Sequence, residues 1–257
     1  MLNILIWSLL FLGAVILLSF VDSSYQTIQL KKINVNIDQS DGHSFITKTQ
    51  VIRTLSDIGV KENGEKVDDL DCNRIEKIIN EFSGTKNAEV FFYNSGDLFI
   101  NIKQRTPIAR VLHENGYLSY YVDKEGKVMS LSNNYVARVP VFNGSIKCGN
   151  QFSPINKQKS NNQEDAILNG IFEMAQVINN DEFLAAQIVQ VYCNKKGHFE
   201  LIPRIGNHRV MFGAPKDIKE KFFKLKSFYT KGINIKELNL YDTLNIMYKN
   251  QIVCSKR

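Results

Sequence analysis

A chain of 257 residues that is 44 % hydrophobic and 23 % charged carries enough apolar material for one or two packed cores, which excludes a disordered or low-complexity protein. Its formal charge of +6 fits nucleic acid, an anionic membrane surface or a solvated basic face. The basic residues are spread along the chain, however, and no nucleic-acid recognition motif accompanies them.

The first predicted element is an almost unbroken apolar run from Ile4 to Val21. About 18 such residues make a helix of roughly 27 Å, close to the hydrocarbon thickness of a bilayer. Trp7 lies near one end, where an indole suits the interface. A cleaved signal peptide would need a basic stretch ahead of the run and small residues at a cleavage site. No lysine or arginine precedes Ile4, and Asp22-Ser23-Ser24 is a poor cleavage match. Residues 1–27 are therefore expected to form a short tail and a retained transmembrane anchor. Lys31 and Lys32 follow the span and by the positive-inside tendency argue for a cytoplasmic C-terminal part, so charge alone leaves the orientation open.

Residues 28–105 read as one compact α+β unit. Ile33, Val35 and Ile37 alternate with polar residues, as in a half-buried strand. Thr47-x-x-Gln50 is a capping-box pattern ahead of Val51, Leu55 and Ile58, with Gly59 as a stop. A second helix starts at the acidic Asp68, Asp69 and Asp71, carries Ile75, Ile78, Ile79 and Phe82 on one face and ends at Gly84. Thr85 to Tyr93 and Leu98 to Lys103 form a hairpin around Asn94-Ser95-Gly96-Asp97. The order β-α-α-β-β resembles a POTRA domain, and "SFITKTQVIRTL", Ser44 to Leu55, resembles the lead-in to its first helix.

Pro107 marks the break to a second region, 106–257, rich in short strands. Tyr117 to Val122 and Lys127 to Leu131 pair across Asp123-Lys124-Glu125-Gly126, where glycine supplies the positive φ of a tight turn. Tyr120 and Tyr121 point to opposite faces of one strand, so at most one is expected in the core. Ala166, Ile167, Ile171, Ala175 and Ile178 mark a helix, and Gln187 to Cys193 with His198 to Pro203 a hairpin over Asn194-Lys195-Lys196-Gly197. Arg209 to Phe212 is a further strand. A helix after Pro215 has Ile218, Phe222, Leu225 and Tyr229 on one stripe and lysines opposite, and ends at Gly232. The chain closes on a long alternating strand with Leu244, Ile246, Tyr248 and Ile252 on one face. The polar loop Asn156 to Gln163 is the one stretch of biased composition.

A search for chemistry yields no catalytic constellation. There is no G-x-S-x-G, H-E-x-x-H, P-loop or dinucleotide-binding glycine pattern. His43, His113, His198 and His208 lie on different elements. His198 and His208 lie across two strands from each other, so a metal or acid-base pair stays open beside the reading of exposed strand-end histidines. Asp123 and Glu125 sit at a hairpin corner and are expected to be structural. Cys72, Cys148, Cys193 and Cys254 are far apart, with no C-x-x-C pair. An exported domain allows disulfides, but each cysteine also reads as a small buried hydrophobe, and free thiols are the expectation. No enzyme, cofactor or metal is expected.

"RTPIARV", "YYVDKEGKVMSLS", "ARVPVFNG", "ELIPRIGNHRVMFG" and "MYKNQIVC" occur in this order, and together they resemble the FtsQ/DivIB family of bacterial cell-division proteins, in its Bacteroidetes-type branch. The resemblance implies a single-span inner-membrane scaffold with a cytoplasmic N-terminus, a periplasmic POTRA domain and a mixed, mainly antiparallel β domain with flanking helices. It implies FtsB/DivIC-type and FtsL-type partners at the division septum, with links to the septal peptidoglycan synthase. By position, the family's partner-binding strand falls on Asn245, Ile246, Met247, Tyr248, Lys249, Asn250, Gln251 and Ile252, running on to Cys254, and a second contact on Phe45, Ile46 and Thr47. One departure from many relatives is the short stretch ahead of Ile4. Two other classes stay open: a POTRA-bearing envelope-assembly or transport component, and a membrane-anchored hydrolase. With nothing after it but Ser255, Lys256 and Arg257, the closing strand is expected to present an uncovered edge.

Overall fold

The computed structural model describes residues 6–7, 9–17, 29–40, 42–63, 70–93, 95–113, 119–146, 163–234 and 237–257. Asp22 to Ser24, Asp68, Asp69, Asn94, Tyr117, Cys148 and nearly all of the 156–163 loop lie outside them. Ile6, Trp7 and residues 9–17 are helical, and their apolar side chains stand out from the chain, Trp7 at 73 % exposed and Phe11 at 74 %. Among the described residues no helix is long and apolar enough to cross a membrane.

The chain divides into two compact units, residues 1–104 and 105–257. In the first, β1 (Lys32–Asp38) is followed by α1 (Lys48–Asp57), α2 (Cys72–Asn80), β2 (Thr85–Phe92) and β3 (Asp97–Gln104). The sheet order is β1-β3-β2, with β3 parallel to β1 and antiparallel to β2. Ala88, Val90, Leu98, Ile100 and Ile102 alternate onto one face and are buried, as are Val51 and Leu55 of α1 and Ile75 and Ile79 of α2. The Thr47 side chain accepts from Gln50 N at 3.2 Å and Asp71 Oδ1 from Arg74 N at 3.1 Å, so each helix begins on a side-chain cap. Gly59 stops α1 with φ +95°. Gly84 differs from the expected helix stop: α2 ends at Asn80, and a Cβ at Gly84 would lie 2.9 Å from Phe45 Cβ. Its lack of a side chain serves close packing.

The second unit is built on a nine-stranded sheet in the order β12-β11-β10-β9-β8-β7-β4-β5-β6. The strands are β4 (Pro107–Leu112), β5 (Ser119–Asp123), β6 (Val128–Ser130), β7 (Val141–Gly144), β8 (Ile188–Cys193), β9 (Phe199–Pro203), β10 (Arg209–Gly213), β11 (Tyr241–Asn245) and β12 (Val253–Lys256). Pairing is parallel at β4/β7, β7/β8 and β10/β11 and antiparallel elsewhere. Helices α3 (Gln163–Asn179), α4 (Glu182–Gln187) and α5 (Ile218–Ser227) accompany it, and Ile171, Met174, Ile178, Phe222 and Leu225 join Phe142, Val191, Leu201, Val210 and Leu244 in one core. The short α4, which no periodicity announced, is capped by Asp181, whose Oδ1 accepts from Phe183 N and Leu184 N. Its other oxygen takes Lys226 Nζ at 2.6 Å, and that bond holds the Asp181 carboxyl below its usual range.

The β5–β6 hairpin corrects one expectation. Tyr120 and Tyr121 point to opposite faces, yet both are buried. Tyr120 belongs to the core beneath the helices. On the other face the Tyr121 hydroxyl accepts from Ala137 N at 3.2 Å, and Arg110 lies 5.9 Å from its ring centre. The segment that carries Ala137 covers a face that strand alternation alone would leave wet.

Candidate interaction site

The closing segment is not one long strand. β11 ends at Asn245, the chain turns through Tyr248, Lys249 and Asn250, and β12 runs back antiparallel with Asn245 opposite Val253 and Leu244 opposite Cys254. Two asparagines make the turn. Asn245 Oδ1 accepts from Met247 N at 3.0 Å, and Asn250 takes φ +59°, a left-handed conformation that asparagine tolerates better than most residues. The alternation over Leu244, Ile246, Tyr248 and Ile252 therefore breaks at Tyr248: Ile246 is buried, Tyr248 is half exposed on the turn, and Ile252 returns to the core.

A lysine from another element fixes this turn. Lys224 of α5 donates from Nζ to Ile246 O at 3.0 Å and also to Tyr248 O. Ile246 N donates to Met211 O of β10 at 3.1 Å. Gly213, at φ +77°, lies under Met247, where a Cβ would come within 2.6 Å of Met247 Sδ. The loop that carries the predicted partner residues is thus held from below by α5 and β10, with Met247, Tyr248, Lys249, Asn250 and Gln251 left outward. Sequence reasoning missed Lys224 and Gly213, because their spacing from the loop is tertiary.

β12 occupies one end of the sheet, and among the described strands it has a neighbour on one side only. The predicted free edge belongs to Val253–Lys256 and not to Asn245–Ile252, since β12 itself covers the outer side of β11. Val253, Ser255 and Lys256 are exposed and Cys254 is half buried. An unpaired row of backbone N–H and C=O groups, bordered by a lysine, is open to strand addition by another chain.

Phe45 and Ile46 are buried and Thr47 is half buried with its hydroxyl on the α1 cap. Ile46 N donates to Gln104 Oε1, and Gln104 Nε2 donates to Asp38 O and His43 O. The aromatic and the isoleucine are core residues that seat the first helix, so they present no surface to a partner.

The other candidates are structural. Asp123 is buried. Its Oδ1 accepts from Glu125 N and Lys127 N, each at 2.8 Å, and its Oδ2 takes Arg105 Nη1 at 2.7 Å. His198 is exposed, whereas His208 is buried, with Nε2 2.7 Å from the Tyr229 hydroxyl. β9 runs between them, His198 preceding Phe199 and His208 lying toward the Pro203 end, so they form no pair. Cys72, Cys193 and Cys254 are free thiols, and burial pushes the Cys193 thiol up to about 11, far from a nucleophile. No group of three or more histidine, cysteine, aspartate or glutamate side chains among the described residues could hold a metal ion. A cleft of about 490 Å³ lies between α3, the β8–β9 turn and Pro215, lined among others by Glu173, Lys196, His198 and Lys216, without a nucleophile paired to a base.

A family model described as FtsQ/DivIB, C-terminal related, matches residues 106–255, the whole of the sheet that ends in this edge. The chain belongs to the FtsQ/DivIB family. A POTRA-like domain model matches residues 29–103, the unit with the β-α-α-β-β order. No curated protein matches the chain at a significant level. Membership in the FtsQ/DivIB family makes this a cell-division protein of a non-catalytic, scaffold-type family, whose partners are other division proteins.

Proposed function

We propose that this FtsQ/DivIB-family chain is a divisome scaffold anchored in the inner membrane by the apolar run Ile4–Val21, with residues 28–105 and 106–257 as its POTRA and β domains on the periplasmic side. It binds FtsB/DivIC-type and FtsL-type partners, the first of them at the β11–β12 hairpin, and links them to septal peptidoglycan synthesis. The observation that carries this reading is the terminal strand β12, one side of which has no neighbour among the described strands while α5 and β10 hold its turn. Backbone groups of the partner pair with Val253–Lys256, and Tyr248, 49 % exposed at the turn, supplies an aromatic anchor. The exposed apolar side chains of Ile6, Trp7 and residues 9–17 favour a lipid environment for that segment. The family match over residues 106–255 accounts for the part of the sequence that an envelope-transport or hydrolase reading leaves unexplained.

The test is capture of an FtsB/DivIC-type protein by the detergent-solubilised chain. Tyr248→Ala is expected to weaken capture about thirtyfold, on the order of 2 kcal/mol, and deletion of Asn250 to Arg257 to abolish it. Unchanged capture by either folded variant would move the docking site elsewhere.

A further inference from the structure

The face of the POTRA-like sheet that turns away from α1 and α2 has a composition that its fold does not require. The register stacks side chains in rows across the three strands: Asn34 of β1, Phe99 of β3 and Phe91 of β2 in one, Asn36, Asn101 and Glu89 in the next, Asp38, Lys103 and Asn87 in the third. Tyr93, just beyond β2, stands in the adjacent row with Asp97 and Lys32 and is 58 % exposed. The rings of Phe91 and Phe99 are stacked at 5.8 Å and 10°, and Tyr93 stands nearly perpendicular to Phe99 at 5.0 Å and to Phe91 at 5.6 Å. Asn36 Nδ2 lies 3.4 Å from Asn101 Oδ1, and Asn87 Nδ2 3.3 Å from Glu89 Oε1.

Asparagine is depleted in strands, because its short polar side chain gains little from the pleated surface and competes for backbone hydrogen bonds. Four of them on the outward positions of one small sheet, beside three clustered aromatics, call for an explanation outside the fold. Successive rows on a strand are about 7 Å apart, so Asn36 and Asn101 lie one row away from Phe91 and Phe99, and Asn34 stands in their own row. That is the reach from the centre of a stacked sugar ring to the groups that its hydroxyls contact. An aromatic face is electronegative and attracts the C–H face of a pyranose, and each amide offers both donors and acceptors to hydroxyl or acetamido groups.

From this arrangement we propose that the outward face of the β1-β3-β2 sheet is a binding platform for a neutral polysaccharide, with the exposed ring of Tyr93, braced by Phe91 and Phe99, stacking one sugar ring and Asn34, Asn36 and Asn101 hydrogen-bonding its neighbours. The charges on this face, Lys32, Asp38, Glu89, Asp97 and Lys103, are mixed in sign, so the face offers no field that would gather a nucleic acid or an anionic lipid.

The full chain, held in a detergent without a sugar headgroup, is sedimented with insoluble chitin and, separately, with cellulose. Retention on at least one polymer, displaced by the matching soluble hexasaccharide and insensitive to salt, is expected. Tyr93→Ala should cut retention at least tenfold and Tyr93→Phe should keep it. Asn36→Ala, at an exposed position, should weaken it severalfold with the melting temperature unchanged, which keeps the test meaningful should Tyr93→Ala perturb folding. Retention on chitin alone assigns the amides to acetamido groups, and retention on both assigns them to hydroxyls. No retention of the wild-type chain, equal retention of Tyr93→Ala and Asn36→Ala, release by salt alone, or occupation of this face by a protein segment would overturn the proposal.

Discussion

Asp123 shows why a carboxylate in a turn motif is not automatically a surface residue. Three donors from two segments converge on it, and its partner Arg105 is as buried as it is. Removing one member of such a pair leaves the other charge unsolvated, which costs about 3–5 kcal/mol. Asp123→Ala is therefore expected to lower the melting temperature by on the order of 10 °C. Glu125, half exposed at 3.4 Å from the same arginine, contributes little, and Glu125→Gln should change stability by less than about 1 kcal/mol. Thermal melts of the two variants side by side check both statements. The turn itself was legible, since Asp-x-x-Gly is a local signal. The burial of Asp123 was not, because Arg105 reaches it from eighteen residues away.

His208 makes a second residue-scale prediction. Burial, with Arg257 nearby, pulls its imidazole below the ordinary histidine value, so the folded chain holds it neutral against the Tyr229 hydroxyl while the unfolded chain takes up a proton near pH ~6.5. The unfolded state then binds more protons, and stability present above that pH is lost as the pH falls through it toward the folded value. Melting temperatures measured from pH 7.5 to 5 should decline across that window, and His208→Gln should decline less steeply although it starts lower. A variant with the wild-type slope would remove His208 as the cause. The bond of Asp181 to Lys226, which lowers the Asp181 carboxyl, acts in a more acidic range and does not mask this effect.

At the scale of elements, strands and helices with local punctuation were readable. Gly59, Gly126 and Gly197 end or turn their elements with φ of +95°, +81° and +74°, as their places in the sequence predicted. Elements defined by distant contacts were not. α4 depends on Asp181 and its bond to Lys226, and the splitting of the closing strand depends on Asn250 together with the grip of Lys224 on Ile246 and Tyr248. Period-two alternation survived the turn by accident, since Ile246 and Ile252 both return to the core, and so it read as one strand. Lys224→Met should leave the core intact, because its aliphatic stem is replaced by another. With the turn no longer pinned, FtsB/DivIC-type partner affinity should fall about tenfold, or ~1.4 kcal/mol. Titration calorimetry on the variant checks this, and wild-type affinity would show that the turn holds its shape without the clamp.

At the scale of the whole molecule, β12 closes the nine-stranded sheet with one side unpaired among the described strands. The family was legible because its segments occur in order along residues 106–255, and the same span carries the family match. The open edge was legible only to within one hairpin: the order of strands shifts it from Asn245–Ile252 to Val253–Lys256. Backbone hydrogen exchange of the full chain, with and without a saturating FtsB/DivIC-type partner, tests that placement most directly. Strand addition predicts that the amides of Val253 to Lys256 slow at least tenfold on binding, with a smaller effect at Met247 to Gln251. Unchanged exchange at Val253 to Lys256, with protection appearing on another surface of the chain, would contradict it.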